Sequence, residues 1–317
     1  MQRRLGNQLS QTVLRKAIGE TDFAHLHSET VFGPVGPHLQ LRLPYMLAFG
    51  HELGLGFRRL QGKGNNAESI ARLAALFNVG VSLFDLLHDS FPDLASMFSS
   101  YFDGELLERS IHNPDGMSSL KADIECVPEP ELRILLRIIT AFFDGVRRSR
   151  RGRPIPERLG ATLSEAYRME ILSLSAGHPK SLGKASEISR AKSTMPFIVI
   201  RELARVRSSK TREKKTDAAA LQIGEIFWLL DDIVDLVADV RQGALNSVLV
   251  SAGNLNPESN AADVGSVLAA LLESSILEDV ADRLVDLITL QRENLSETGG
   301  DLHLFQMVCA YARDWID

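Results

Sequence analysis

The stretch LQIGEIFWLLDDIVDLVADVRQG, Leu221 to Gly243, limits what this chain can fold into more than any other. It is apolar on most sides at a helical period, which places it on a central, buried helix. Three acids sit inside it: Asp231, Asp232 and Asp235. Asp231 and Asp235 share a face, and Asp232 lies about 100° round from Asp231. Like charges this close are costly to bury without a counter-charge. A hard divalent cation is the natural remedy, because Mg²⁺ takes carboxylate oxygens, keeps several waters and bridges to phosphate. The pattern reads as a metal–diphosphate site. The opposing reading, a solvated face, fits poorly with Ile226 to Leu230 and with Ile233, Val234, Leu236 and Val237 around the acids. Upstream on the same face, Gly224 would widen the space beside the helix. Trp228 offers an aromatic face to a carbocation, with plain core packing as an equal alternative.

A second stretch repeats the theme. AALFNVGVSLFDLLHDSFPD, Ala74 to Asp93, is an apolar helix with Asp85 and Asp89 at the same spacing. Val81 and Ser82 lie one turn upstream on that face, with Phe77 and Asn78 beyond, as candidate cavity lining. His88 reads as a rim residue, since the site already offers oxygen donors. Two such helices, half a chain apart, suggest a cavity whose mouth carries carboxylates on opposing walls.

The rest of the chain is helical in period almost throughout, with no alternating strand and no fixed repeat. Breaks fall at Val31 to Pro37, His112 to Gly116, Pro128 and Pro130, Arg150 to Glu157, and Gly253 to Asn260. Segments of this kind suggest a single domain over 1–317, an all-α bundle around a central active-site cavity. The N-terminus, MQRRLGNQLSQTVLRKAIGE, has no acid before Glu20 and has some character of a transit peptide. Its apolar positions Leu5, Leu9, Val13 and Ile18 fit one helix face, the reading preferred here.

A net charge of −6 argues against nucleic acid as a partner. The basic runs Arg147 to Arg153 and Lys210 to Lys215 read as solvated segments. Cys126 and Cys309 fit no metal-ligand spacing and suit a reducing compartment, the cytoplasm. No apolar run reaches the roughly 18 residues of a membrane span.

FNVGVSLFDLLHD and LQIGEIFWLLDDIVD resemble the two aspartate-rich helices of the isoprenoid synthases, the polyprenyl diphosphate synthases and class I terpene synthases. Asp239 and Gly243 follow the second motif at the family's spacing. In ISRAKSTMPF, Lys192 and Ser193 are similar to the family's Lys-Thr pair. The resemblance covers most of Val31 to Val250. It implies Mg²⁺, as three ions with bound diphosphate, held by Asp85 and Asp89 on one wall and by Asp231, Asp232 and Asp235 on the other. It implies diphosphate contacts from Lys192 and Arg190, and frequent homodimers. Near the C-terminus, Tyr311 and Arg313 resemble in reverse order the Arg–Tyr pair that closes over the diphosphate in cyclases; an amphipathic terminal helix explains them better.

Departures from the pattern decide between reactions. Leu86 replaces the second aspartate of the first motif. Ser90 to Phe98 lacks the arginine pair of elongating enzymes, and Gly36 to Pro44 has only Arg42 where they carry a Gly-Lys-Arg run. Trp228 and Ala244 replace a glutamine and a lysine. Most of these losses would weaken binding of isopentenyl diphosphate. The expectation is a class I terpene cyclase, a lyase of isoprenoid biosynthesis acting on a linear prenyl diphosphate. The aspartate-rich second motif, in place of the Asn-Ser/Thr-Glu triad of cyclases, would make it a cyclase on a prenyl-synthase frame. The alternatives are a chain-elongating prenyltransferase and a non-catalytic partner subunit of a prenyl synthase.

Overall fold

The computed structural model describes every residue except 1, 29–30, 63–65, 114, 151–154, 176–181, 206–208, 243–245, 252–263, 297–301 and 317. Among the described residues there is no strand. The helices run α1 (Gln2–Leu9), a π-helical segment (Ser10–Leu14), α2 (Arg15–Leu26), α3 (Gly36–Leu60), α4 (Ala67–Ser90), α5 (Pro92–Tyr101), α6 (Gly104–His112), α7 (Ser118–Ile124) and α8 (Pro130–Ser149). Then come α9 (Glu157–Ser175), α10 (Leu182–Leu203), α11 (Lys210–Val234), α12 (Leu236–Gln242), α13 (Ser247–Ser251), α14 (Val264–Glu273), α15 (Ile276–Ser296) and α16 (Leu302–Ile316). The loop expected at Gly253 to Asn260, like half of that at Arg150 to Glu157, lies outside the described residues.

The chain comprises two compact units. The first comprises 1–164 and 199–207 and contains α1 to α8; the second comprises 165–198 and 208–317 and contains α11 to α16.

In the first unit, α4 is the core helix. Its apolar positions Leu76, Val79, Leu83 and Leu87 are buried, each contributing about 1.5–3 kcal/mol. It packs on α3 and α8. The α3 contact is close because α3 presents glycines: a Cβ on Gly50 would stand 2.6 Å from the Ala74 carbonyl oxygen, and one on Gly54 would stand 2.7 Å from the Ala74 Cβ. By length and composition α4 is apolar enough to cross a membrane, although polar residues such as Arg72, Asn78 and Asp85 interrupt its apolar positions. More than half of that window is buried inside the unit, as suits a core helix.

The N-terminal segment is helical, with Leu9, Val13 and Ile18 buried. It is fastened by charge. Asp22, with a side chain 1% exposed, accepts from Arg133 Nε at 2.9 Å and Nη2 at 2.7 Å, and Arg137 Nη1 lies 3.2 Å away. These bonds hold α2 on α8. Local capping agrees with the sequence: Asp103 Oδ1 accepts the Leu106 N–H at 2.7 Å to start α6, and Ser209 Oγ accepts the Arg212 N–H at 3.3 Å to start α11.

In the second unit, α11 packs on α15 and α16. Trp228, Leu229, Leu236, Val248, Val267 and Leu271 form its apolar centre.

Candidate active site

On α4, Phe77, Asn78, Val81, Ser82 and Asp85 are all half-buried, and Asp89 is exposed. They make one stripe along α4. Its polar groups bond to backbone: Asn78 Nδ2 donates to the Met46 carbonyl at 2.9 Å, and the Ser82 hydroxyl donates to the Asn78 carbonyl at 2.9 Å. Phe77 packs on Phe142, ring centroids 5.4 Å apart. His88 donates from Nδ1 to the Phe84 carbonyl at 2.8 Å and lies against the Phe84 ring at 4.0 Å, a packed position.

On α11 the three acids part company. Asp231 is half-buried and Asp235 is exposed at the break before α12. Asp232 is only 7% exposed, and its Oδ2 accepts the Ser247 N–H at 3.0 Å. Asn246 completes a latch, donating from Nδ2 to the Asp232 carbonyl at 2.6 Å and to Asp239 Oδ2 at 2.8 Å. Lying round from Asp231, the Asp232 carboxylate is engaged as the cap of α13. Nothing in the residues around Asp232 announces this latch, because Asn246 and Ser247 lie on a later segment.

Burial pushes the Asp232 carboxyl up to about 6, partly offset by its hydrogen bonds to Ser247. A raised acid pKa means the folded state holds the proton more tightly than the unfolded chain. The stability from this group is fully present below the unfolded value, 3.8, and is lost as pH rises through about 6. In metal-free protein, urea unfolding of Asp232→Asn is expected to show a flatter pH dependence across this window than the parent. Parallel curves would remove Asp232 as the cause.

α10 packs beside α11. A Cβ on Gly224 would meet the Thr194 Cα at 2.8 Å, so this glycine admits a neighbouring helix and does not open space, correcting the expectation of a widened cavity. Trp228, 3% exposed, donates from Nε1 to Ser189 Oγ at 3.2 Å, and the Arg283 guanidinium lies 5.4 Å from its ring centroid. Trp228 is thus packed in the core of its unit, with a protein cation already on its ring. Of the expected diphosphate ligands on α10, Arg190 pairs with Glu225, and Lys192 Nζ stands 3.7 Å from Glu170. Neither carboxylate partner was legible, because each lies on another helix. On α16, Tyr311 is buried while the Arg313 side chain is 72% exposed and pairs with Asp314. Two residues apart on a helix, they diverge, so no closing pair forms.

Among the described residues no group of three His, Cys, Asp or Glu side chains converges on a metal position. Each acid pair therefore offers two carboxylates at most. That suits Mg²⁺, which completes its shell with water and substrate phosphate, and does not suit a metal needing an all-protein cage.

The backbone matches solved structures over nearly the whole of both chains. A decaprenyl diphosphate synthase from Rhodobacter capsulatus superposes with TM-score 0.57 at 16% identity, covering 98% of each chain. A geranylgeranyl pyrophosphate synthetase from the archaeon Geoglobus acetivorans gives 0.58 at 13% identity, covering 100% of this chain and 99% of the other. The chain has the isoprenoid-synthase fold. A geranylgeranyl pyrophosphate synthase from Corynebacterium glutamicum, complexed with isoprenyl diphosphate and magnesium, shares this fold at TM-score 0.50 and 14% identity, covering 100% and 99% of the two chains. No protein-family model and no curated protein matches the chain in sequence.

Proposed function

We propose that this chain is a Mg²⁺-dependent prenyl diphosphate synthase that ionises an allylic prenyl diphosphate and extends it with isopentenyl diphosphate. The observation that carries the reading is the pair of acids at helical spacing on each of two helices, α4 and α11, in a chain with the isoprenoid-synthase fold. Asp85, Asp89, Asp231 and Asp235 would hold the Mg²⁺. Bound there, the ions supply charge neutralisation to the departing diphosphate. Lys192 binds a phosphate oxygen once it leaves Glu170, a charge-assisted contact that strengthens as the C–O bond breaks. The half-buried stripe of Phe77, Asn78, Val81 and Ser82 borders the hydrocarbon chain and keeps water from the cation.

Elongation is put ahead of cyclisation for two reasons. The three structural relatives named above are described as synthases of prenyl diphosphates. The aromatic that favoured cyclisation, Trp228, is packed against Arg283. Cyclisation stays as the second reading on one observation, the scarcity of cations where elongating enzymes bind isopentenyl diphosphate.

One assay separates them. Purified protein is incubated with Mg²⁺ and geranyl, farnesyl or geranylgeranyl diphosphate, with and without isopentenyl diphosphate, and products are read by gas chromatography–mass spectrometry before and after phosphatase. Longer linear alcohols, released by phosphatase and formed only with isopentenyl diphosphate, are the expected result. A cyclic hydrocarbon formed without it establishes the second reading. No product from any substrate counts against both and favours a non-catalytic partner subunit.

A further inference from the structure

The first unit contains a groove of about 1000 Å³ that the acids do not touch. On α4 it is lined by Ser69, Arg72, Leu73 and Leu76. Leu76 and Asp85 are nine positions apart, which at about 100° per residue puts them on opposite sides of the helix. The groove is therefore separate from the stripe assigned to catalysis. Its size is at the upper end of the roughly 300–1,000 Å³ of small-molecule sites.

Three features mark it as built. First, the N-terminal helix abandons α-helical geometry twice beside it. The π-helical segment Ser10–Leu14 brings Thr12 and Val13 to its wall, and Gly19 breaks α2 with φ 82°, a conformation that favours glycine. π-helical insertions cost hydrogen-bond geometry and recur at functional sites. Second, the charge is one-sided in a protein of net −6. The two lining carboxylates are already engaged, Asp144 by Lys121 at 2.8 Å and Glu125 by Arg137 at 2.9 Å, while Arg72 pairs with Glu68 at 2.9 Å. Lys16 and Arg148, both exposed at the groove, pair with no carboxylate among the described residues. Third, Thr140 lines the groove at 8% exposure with a hydroxyl that finds no partner among the described residues. Between the cations the walls include the apolar edges of Val13, Leu73 and Leu76, with Ala17 and Ala141.

We propose that this groove binds a single-chain amphiphile with a phosphate headgroup, the chain against Val13, Leu73 and Leu76 and the phosphate against Lys16 and Arg148. Arginine's planar fork matches phosphate oxygens in pairs, and lysine adds a point charge. Protein cations supply the whole counter-charge, so binding needs no Mg²⁺, unlike binding at the acids.

The test is calorimetric titration of the full chain in EDTA with farnesyl monophosphate and dodecyl phosphate, each below its micelle concentration. Inorganic phosphate and phosphatidylglycerol vesicles serve as comparison titrants. The expected result is one Mg²⁺-independent site for both amphiphiles, with affinity falling about tenfold or more in Lys16→Glu/Arg148→Glu and unchanged in Asp231→Asn/Asp235→Asn. Circular dichroism of the rim variant confirms its fold, and Ala141→Leu, which fills the groove without changing charge, is expected to weaken the amphiphiles as well. No Mg²⁺-independent binding, binding indifferent to the rim charges, or inorganic phosphate binding as tightly as the amphiphiles would overturn the proposal. Binding to vesicles without binding of the monomers overturns it too, making this face a membrane contact.

Discussion

Asp231→Asn is expected to lower kcat by about 10²–10³-fold, the range seen when one group stabilising transition-state charge is removed, whereas Asp232→Asn is expected to cost under about tenfold. The difference follows from where two adjacent carboxylates go. Asp231 is half-buried on the face it shares with exposed Asp235. Asp232 is buried and accepts the Ser247 N–H, a bond that asparagine reproduces through its own carbonyl oxygen. Asp85→Asn is expected to behave like Asp231→Asn. The measurement is turnover across an Mg²⁺ titration, with circular dichroism to confirm the fold. Equal losses at 231 and 232 would mean that Asp232 leaves α13 and reaches the metal. An undiminished Asp231→Asn/Asp85→Asn variant would remove both helices from the chemistry.

The second large effect concerns stability. Asp22→Ala is expected to lose about 3–5 kcal/mol, the cost of breaking a buried ion pair by removing one partner. Arg133 and Arg137, only partly exposed themselves, would lose the carboxylate that joins them. Arg133 keeps its bond to the Val127 carbonyl and Arg137 its pair with Glu125, which places the loss toward the low end. Urea unfolding reads it directly. A loss under about 1 kcal/mol, as for a surface pair, would show that α2 is held by its apolar face alone.

The helices and the acid pairs were legible because both are local. Periodicity buries Leu76, Val79, Leu83 and Leu87, and spacing by four aligns Asp85 with Asp89 and Asp231 with Asp235. What was not legible is what stands opposite each face. Trp228 and Gly224 read as cavity features, but α10 and Arg283 of α15 occupy their surroundings, and neither announces itself in the residues around 228. Asp232 looked equivalent to Asp231 until Asn246 and Ser247 came back to it from α13. The groove behind α4 draws on α2, α4, α7 and α8, so no window of sequence contains it. The reaction was read from missing cations, and a missing residue says little about what a neighbouring helix brings in its place.

The clamp on α2 also has a history in time. Asp22 precedes Arg133 by 111 residues. A ribosome adding about 5–20 residues per second takes roughly 6–22 s to make that stretch. Through that interval α2 carries Ile18, Phe23 and Leu26 with their eventual cover unmade. A nascent chain stalled before α8 thus presents this apolar face of α2 to whatever is nearby.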